Sequence, residues 1–171
     1  MSFSLLPSVI CACVTDLTVS VLKERGIKLL MLDFDNTIVP YTTNIPTERM
    51  AAWLTEMKQS DVQLCVVSNS RKERVKEFCA RYGIDCITHA KKPFFKGIHA
   101  CMQRYGTIPT ECALAGDQIY TDVLGANGCG VQSILVKAID NHNFWLKARH
   151  VLELPFIFAA KKRRMKYEEP R

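Results

Sequence analysis

From about residue 27 onward the chain alternates short apolar runs with amphipathic stretches, and that rhythm leaves few folds open to it. Ile27 to Phe34 is apolar except for Lys28 and Asp33, as expected of a strand buried on both faces. Thr47 to Gln59 follows with Met50, Trp53, Leu54 and Met57 at helical spacing, and Pro46 stands at its entrance. Val62 to Val67 reads as a second buried strand. Arg71 to Tyr82 reads as a helix with Val75, Phe78, Cys79 and Tyr82 on one face, closed by Gly83. Ile84 to Thr88 is a short third strand. Phe94 to Tyr105 is a helix closed by Gly106, Glu111 to Ala115 a fourth strand, Thr121 to Asn127 a short helix and Val131 to Val136 a fifth strand. Five strands joined by helices through connections this short predict an α/β domain, a Rossmann-like, doubly wound parallel sheet. Such a sheet binds ligands at the carboxyl ends of its strands.

Four of those ends are polar. The first strand runs into Asp33-Phe34-Asp35-Asn36-Thr37, the second into Ser68-Asn69-Ser70, and the third is followed by Lys91-Lys92-Pro93. The fourth ends in Gly116-Asp117-Gln118, with Asp122 five residues past Asp117. Phosphoryl transfer needs these residue types: an oxygen nucleophile, a divalent metal to neutralise charge, and donors around the phosphoryl oxygens. Asp33 suits the nucleophile, since a carboxylate is ionised at neutral pH and forms a labile acyl phosphate. Asp33, Asp117 and the backbone carbonyl of Asp35 suit magnesium, which takes a few carboxylates and keeps some waters. Asp35 then serves as general acid and base in turn. Ser68 and Lys92 are expected to bind the transferring oxygens, with Asn36, Thr37 and Asn69 beside the substrate. Asp122 is either a partner in the metal's surroundings or the cap of the short helix.

These segments resemble the four motifs of the haloacid dehalogenase (HAD) superfamily over roughly residues 15 to 150. Asp33-Phe-Asp-Asn-Thr37, Val67-Ser-Asn-Ser70, Lys91-Lys-Pro93 and Gly116-Asp-Gln-Ile-Tyr-Thr-Asp-Val-Leu-Gly125 are similar to the YqeG-type subfamily IIIA phosphatases of bacteria. That branch is in turn similar to the mitochondrial phosphatidylglycerophosphate phosphatases. The resemblance implies an aspartyl-phosphate on Asp33, acid/base work by Asp35, Mg2+ on Asp117 and a phosphatase that accepts phosphatidylglycerophosphate. The other class of reading is a HAD-fold binding or scaffold protein without turnover, which has no need of the full set of polar residues.

Relatives in the superfamily often carry a cap domain, but only nine residues, Ile38 to Pro46, separate Thr37 from the next helix. A site without a cap is open to a macromolecular phosphate or a lipid headgroup.

The chain is otherwise expected to have an N-terminal extension over 1–26, the phosphatase domain over 27–150 and a tail over 151–171. The tail places five cations in the six residues Lys161 to Lys166 behind an apolar stretch, a pattern suited to peripheral contact with an anionic membrane. The net charge of +6 fits an anionic partner, with lipid or phosphorylated substrate favoured over nucleic acid. The apolar first fourteen residues lack the basic segment of a secretory signal and are too short to span a bilayer. Eight cysteines without Cys-x-x-Cys spacing read as reduced, mostly buried thiols. Both features predict a cytoplasmic protein.

Overall fold

The computed structural model describes residues 4–71, 73–140, 155, 158 and 159. The core is a parallel sheet of β1 (Val9–Cys11), β2 (Leu29–Leu32), β3 (Gln63–Val67), β4 (Asp85–Ile87), β5 (Cys112–Gly116) and β6 (Gln132–Val136), in the order β1-β6-β5-β2-β3-β4. The sheet has six strands where the sequence suggests five. The additional one, β1, pairs Val9 with Ile134 and Cys11 with Val136 at an edge. Three residues are too few to show an alternating pattern, so only the finished edge of β6 gives this segment its conformation. A short helix, α1 (Val19–Glu24), capped by the Thr18 hydroxyl, completes the N-terminal extension. Trp53 Nε1 ties the extension down by donating to the carbonyl of Leu17 at 2.9 Å.

The remaining helices are α2 (Glu48–Lys58), α3 (Glu73–Tyr82), α4 (Lys96–Tyr105) and α5 (Leu124–Gly128). Side chains of a strand alternate between faces, and the central strands bury both. Leu30 and Leu32 of β2, Leu64 and Val66 of β3, and Ala113 and Ala115 of β5 join the cluster under α2 and α3, with Trp53, Leu54 and Phe78. Leu29, Met31, Cys65, Val67, Cys112 and Leu114 join the cluster with Ile98, Cys101 and Met102 of α4. That two-sided burial explains why these strands read as unbroken apolar runs. All eight cysteines are free, and Cys65, Cys79, Cys101, Cys112 and Cys129 are buried. Burial pushes the Cys129 thiol up to about 11, away from the reactive thiolate.

The strand order reverses direction between β2 and β5, and the crevice of a doubly wound sheet opens at such a switch point. Leu32 pairs with Val66 on one side and Ala115 on the other. One step further, Asp33 leaves the sheet beside Val67 and Gly116, so Ser68 and Asp117 emerge on either flank. No domain is inserted between β2 and α2 or between β4 and β5.

Candidate active site

Nine polar or charged residues are buried among those described, and seven of them lie at this edge: Asp33, Asn36, Thr37, Ser68, Lys92, Asp117 and Asp122. Isolated buried charges are unstable unless compensated. Lys92 Nζ sits 2.7 Å from Asp33 Oδ1 and 2.7 Å from Asp122 Oδ1, its side chain 1 % exposed. Burial alone would discharge this ammonium, but the two carboxylates outweigh it and raise its pKa, so it stays protonated. Asp33 moves the other way from an ordinary carboxylate. Burial raises it to about 6, against the lowering effect of Lys92, and Asp122 adds to the rise.

Oxygens of Asp33, Asp117 and Asp122 lie within 4.8 Å of one another. Three buried carboxylates beside one ammonium leave an excess of two negative charges when all are ionised. That excess, on oxygen donors alone, suits a hard divalent cation such as Mg2+.

Asp122 is more than a cap of the short helix. Residues Ile119–Val123 form a π turn that carries the Asp122 carboxylate back under the loop, where Oδ2 accepts from the backbone N–H of Gln118 at 3.1 Å. A Cβ on residue 116 would lie 2.3 Å from that oxygen, so Gly116 is what admits the carboxylate to the site.

The other expected site residues divide into two groups. Thr37 Oγ1 is buried with no hydrogen-bond partner among the described residues, and Ser68 Oγ accepts from the N–H of Ser70 at 3.1 Å with its own proton still to donate. Asn36 and Asn69 instead brace loops. Asn36, at φ 62°, donates through Nδ2 to the carbonyl of Asp140 at 2.7 Å. Asn69 clamps the backbone of Lys92 from both sides, Nδ2 donating to its carbonyl at 2.8 Å and Oδ1 accepting from its N–H at 2.6 Å.

Asp35 lies outside the three-carboxylate cluster. Its Oδ1 accepts from Arg74 Nη2 at 2.5 Å. Arg74 also donates to the carbonyls of Tyr41 at 2.6 Å and Pro40 at 3.3 Å, and its guanidinium lies 5.1 Å from the centre of the Phe34 ring. Sequence reasoning missed Arg74. Its place in a charged first turn looks like ordinary solvated surface, and only the packing of α3 against the loop after β2 shows otherwise.

Comparison with known proteins gives the family of the chain that carries this arrangement. The family described as mitochondrial PGP phosphatase matches residues 2–139.

The chain belongs to that family.

The phosphatase is 38% identical to the probable phosphatase YqeG of Bacillus subtilis over 115 residues, 67% of each chain. It is 31% identical to the mitochondrial phosphatidylglycerophosphatase GEP4 of Saccharomyces cerevisiae over 147 residues, 77% of each. Among solved structures it resembles the cobalt-bound deoxy-D-mannose-octulosonate 8-phosphate phosphatase of Haemophilus influenzae, with TM-score 0.56, 17% identity and coverage of 82% of this chain and 92% of that one. It also resembles a HAD superfamily subfamily IIIA hydrolase from Legionella pneumophila, with TM-score 0.53, 15% identity and coverage of 75% and 73%. The fold is thus HAD-like, and the activity class is hydrolysis of phosphoric monoesters. No described helix is long and apolar enough to cross a membrane. The basic tail lies outside the described residues.

Proposed function

We propose that the chain is a magnesium-dependent phosphatase working through an aspartyl-phosphate on Asp33, with phosphatidylglycerophosphate as its substrate. The observation that carries this reading is the buried grouping of Asp33, Asp117 and Asp122 around Lys92. The three carboxylates, with the backbone carbonyl of Asp35, would hold Mg2+, whose charge would offset the repulsion between Asp33 and an incoming phosphate.

In the first step a carboxylate oxygen of Asp33 attacks phosphorus and the bond to the leaving oxygen breaks, while Asp35 delivers its proton to the departing alkoxide. In the second step Asp35 takes a proton from water, the water oxygen bonds to phosphorus, and the bond to Asp33 breaks. Phosphate and alcohol are released, and both aspartates return to their starting state. Lys92, Ser68 and Thr37 supply donors to the phosphoryl oxygens. Arg74 fixes Asp35 on one side of the site, and Asn69 fixes the backbone that carries Lys92.

The choice of substrate is supported by the family description and the yeast relative, and by the absence of any inserted cap, which leaves room for a lipid headgroup. Hydrolysis of p-nitrophenyl phosphate with and without Mg2+, for the parent and Asp33→Asn, tests the chemistry. Parent activity should require Mg2+, and the variant should lose at least about a thousandfold, the scale seen when a nucleophile is removed. Failure to trap hydroxylamine-sensitive phosphate on the parent would sink the covalent route. Turnover of phosphatidylglycerophosphate no faster than that of sugar phosphates would remove the substrate assignment.

A further inference from the structure

The described residues include seven large hydrophobic side chains that are exposed, and five of them sit on the edge of the sheet that carries the active site. Tyr41 and Ile45 follow β2, Phe94 follows β4, Tyr120 follows β5 and Ile139 follows β6. Ile45 is 71% exposed and Phe94 73%. Each belongs to a loop or turn joined to the catalytic groups. The carbonyl of Tyr41 accepts from the guanidinium that holds Asp35. Phe94 is two residues past Lys92, Tyr120 three past Asp117, and the N–H of Ile139 donates to the carbonyl of Asn36 at 3.0 Å.

Between these apolar tips stand the exposed cations Arg71, Lys91, Lys96 and Lys137, none of which forms an ion pair with a described residue. The loops over 36–47, 68–71, 88–96 and 118–121 contain no Asp or Glu, and the loop after β6 places one half-buried acid, Asp140, beside Ile139. The exposed carboxylates Glu48 and Glu73 belong to the first turns of α2 and α3 rather than to these loops.

We infer that this rim docks on an anionic phospholipid bilayer, its apolar tips entering the headgroup region and its cations meeting lipid phosphates, so that the mouth of the active site faces the membrane. The inference rests on the lipid-phosphate reading above and says how such a substrate reaches Asp33. Apolar side chains spread over four separate connections, interleaved with exposed cations and with no fully exposed acid among them, match interfacial insertion. A protein partner calls for a continuous apolar centre with a polar margin. The phosphate site lies below the rim, so a headgroup still anchored in a bilayer reaches it only if the rim meets that surface.

The test is flotation of the full chain with phosphatidylcholine vesicles, with and without phosphatidylglycerol, alongside two activities. One is hydrolysis of phosphatidylglycerophosphate in those vesicles and the other of p-nitrophenyl phosphate in solution. The parent should float only with the anionic vesicles. Combined Ile45→Ser and Phe94→Ser should weaken vesicle binding and vesicle-bound turnover at least tenfold and leave p-nitrophenyl phosphate hydrolysis unchanged, which also reports that the variant is folded. Ile108→Ser, at the opposite edge and 57% exposed, should change neither.

A parent that does not float, or a double variant that floats as well as the parent, overturns the docking surface. So does a double variant that merely converts a dimer to monomer, since the rim would then bind a second copy. A parent that floats but leaves the lipid phosphate intact keeps the docking surface and removes the substrate assignment. One that hydrolyses detergent-dispersed lipid without floating does the reverse.

Discussion

The two edges of the sheet treat charge in opposite ways. At the amino edge Lys23 pairs with Asp61 at 2.8 Å, Lys28 with Glu111 at 2.5 Å and Arg104 with Asp85 at 3.9 Å, and in each pair at least one side chain is well exposed. At the carboxyl edge Lys92, Asp33 and Asp122 are 1%, 8% and 1% exposed. Exposed pairs are screened by water and salt and contribute little. Buried ones are costly to desolvate and depend on one another. A fold under no functional demand would place its charges as the amino edge does. The carboxyl edge concentrates them where a cation and a phosphate are to be bound, and there the removal of a single member should be felt throughout the cluster.

Lys92→Met is the strongest probe of that difference. It leaves Asp33 and Asp122 facing each other without their shared ammonium, and breaking a buried pair in this way costs about 3–5 kcal/mol. A urea titration in the presence of EDTA should show a lowered midpoint. The loss should shrink at pH 5, where Asp33 can take up a proton. A midpoint unchanged from the parent would mean that the cluster is not coupled.

Arg74→Gln removes the guanidinium from Asp35 and from the two carbonyls of the loop after β2. Nothing in the metal cluster is touched. A misplaced acid/base group typically slows turnover by about 10- to 100-fold, so kcat for p-nitrophenyl phosphate should fall by that order while Mg2+ affinity holds. Arg74→Lys should fail to restore the rate, since a single ammonium cannot replace the planar fork. Equal loss of Mg2+ affinity would show that Arg74 acts on the whole edge rather than on Asp35.

Much of this contrast was legible in the chain itself. The buried strands announced themselves because both of their faces are apolar, and Asp33, Ser68 and Asp117 were found at the ends of such runs, whereas Lys92 was singled out by the Pro93 that follows it and by the motif it resembles. What the chain hid depends on contacts between distant segments. β1 is three residues long and takes its form from β6. The π turn that aims Asp122 at Lys92 follows no periodicity, so the residue could be read equally well as a cap. Arg74 resembles the other charged residues of α3 until the loop carbonyls are placed. Asn36 and Asn69 looked like groups facing the substrate, and their partners turned out to be backbone atoms 104 and 23 residues away.

Metal binding should sharpen the comparison through pH. Asp33 is held near 6 against an ordinary 3.8, so between those values the folded protein keeps a proton that the unfolded chain has released. For the metal-free protein this group therefore adds stability as the pH falls from neutrality, and that contribution is lost as the pH rises through about 6. Mg2+ binding needs the ionised carboxylate, so its affinity should drop by up to about tenfold per unit below that pH. Calorimetric Mg2+ titrations at several pH values measure this, and an affinity flat from neutrality to pH 5 would count against Asp33 as a ligand.

The amino edge supplies the smallest effect and the sternest control. Lys23→Ala deletes a pair whose side chains are 52% and 91% exposed. Asp61 is drawn below the usual carboxylate range by its hydrogen bond and charge interaction with Lys23, but it stands entirely in solvent, where such a pair is close to neutral for stability. Thermal melts should place the variant within about 2 °C of the parent at moderate salt, with phosphatase activity unaltered. A melting point that dropped as far as that of Lys92→Met would mean that burial does not separate the two edges. The excess negative charge under Lys92 would then no longer distinguish a metal site from the ordinary ion pairs at the other end of the strands.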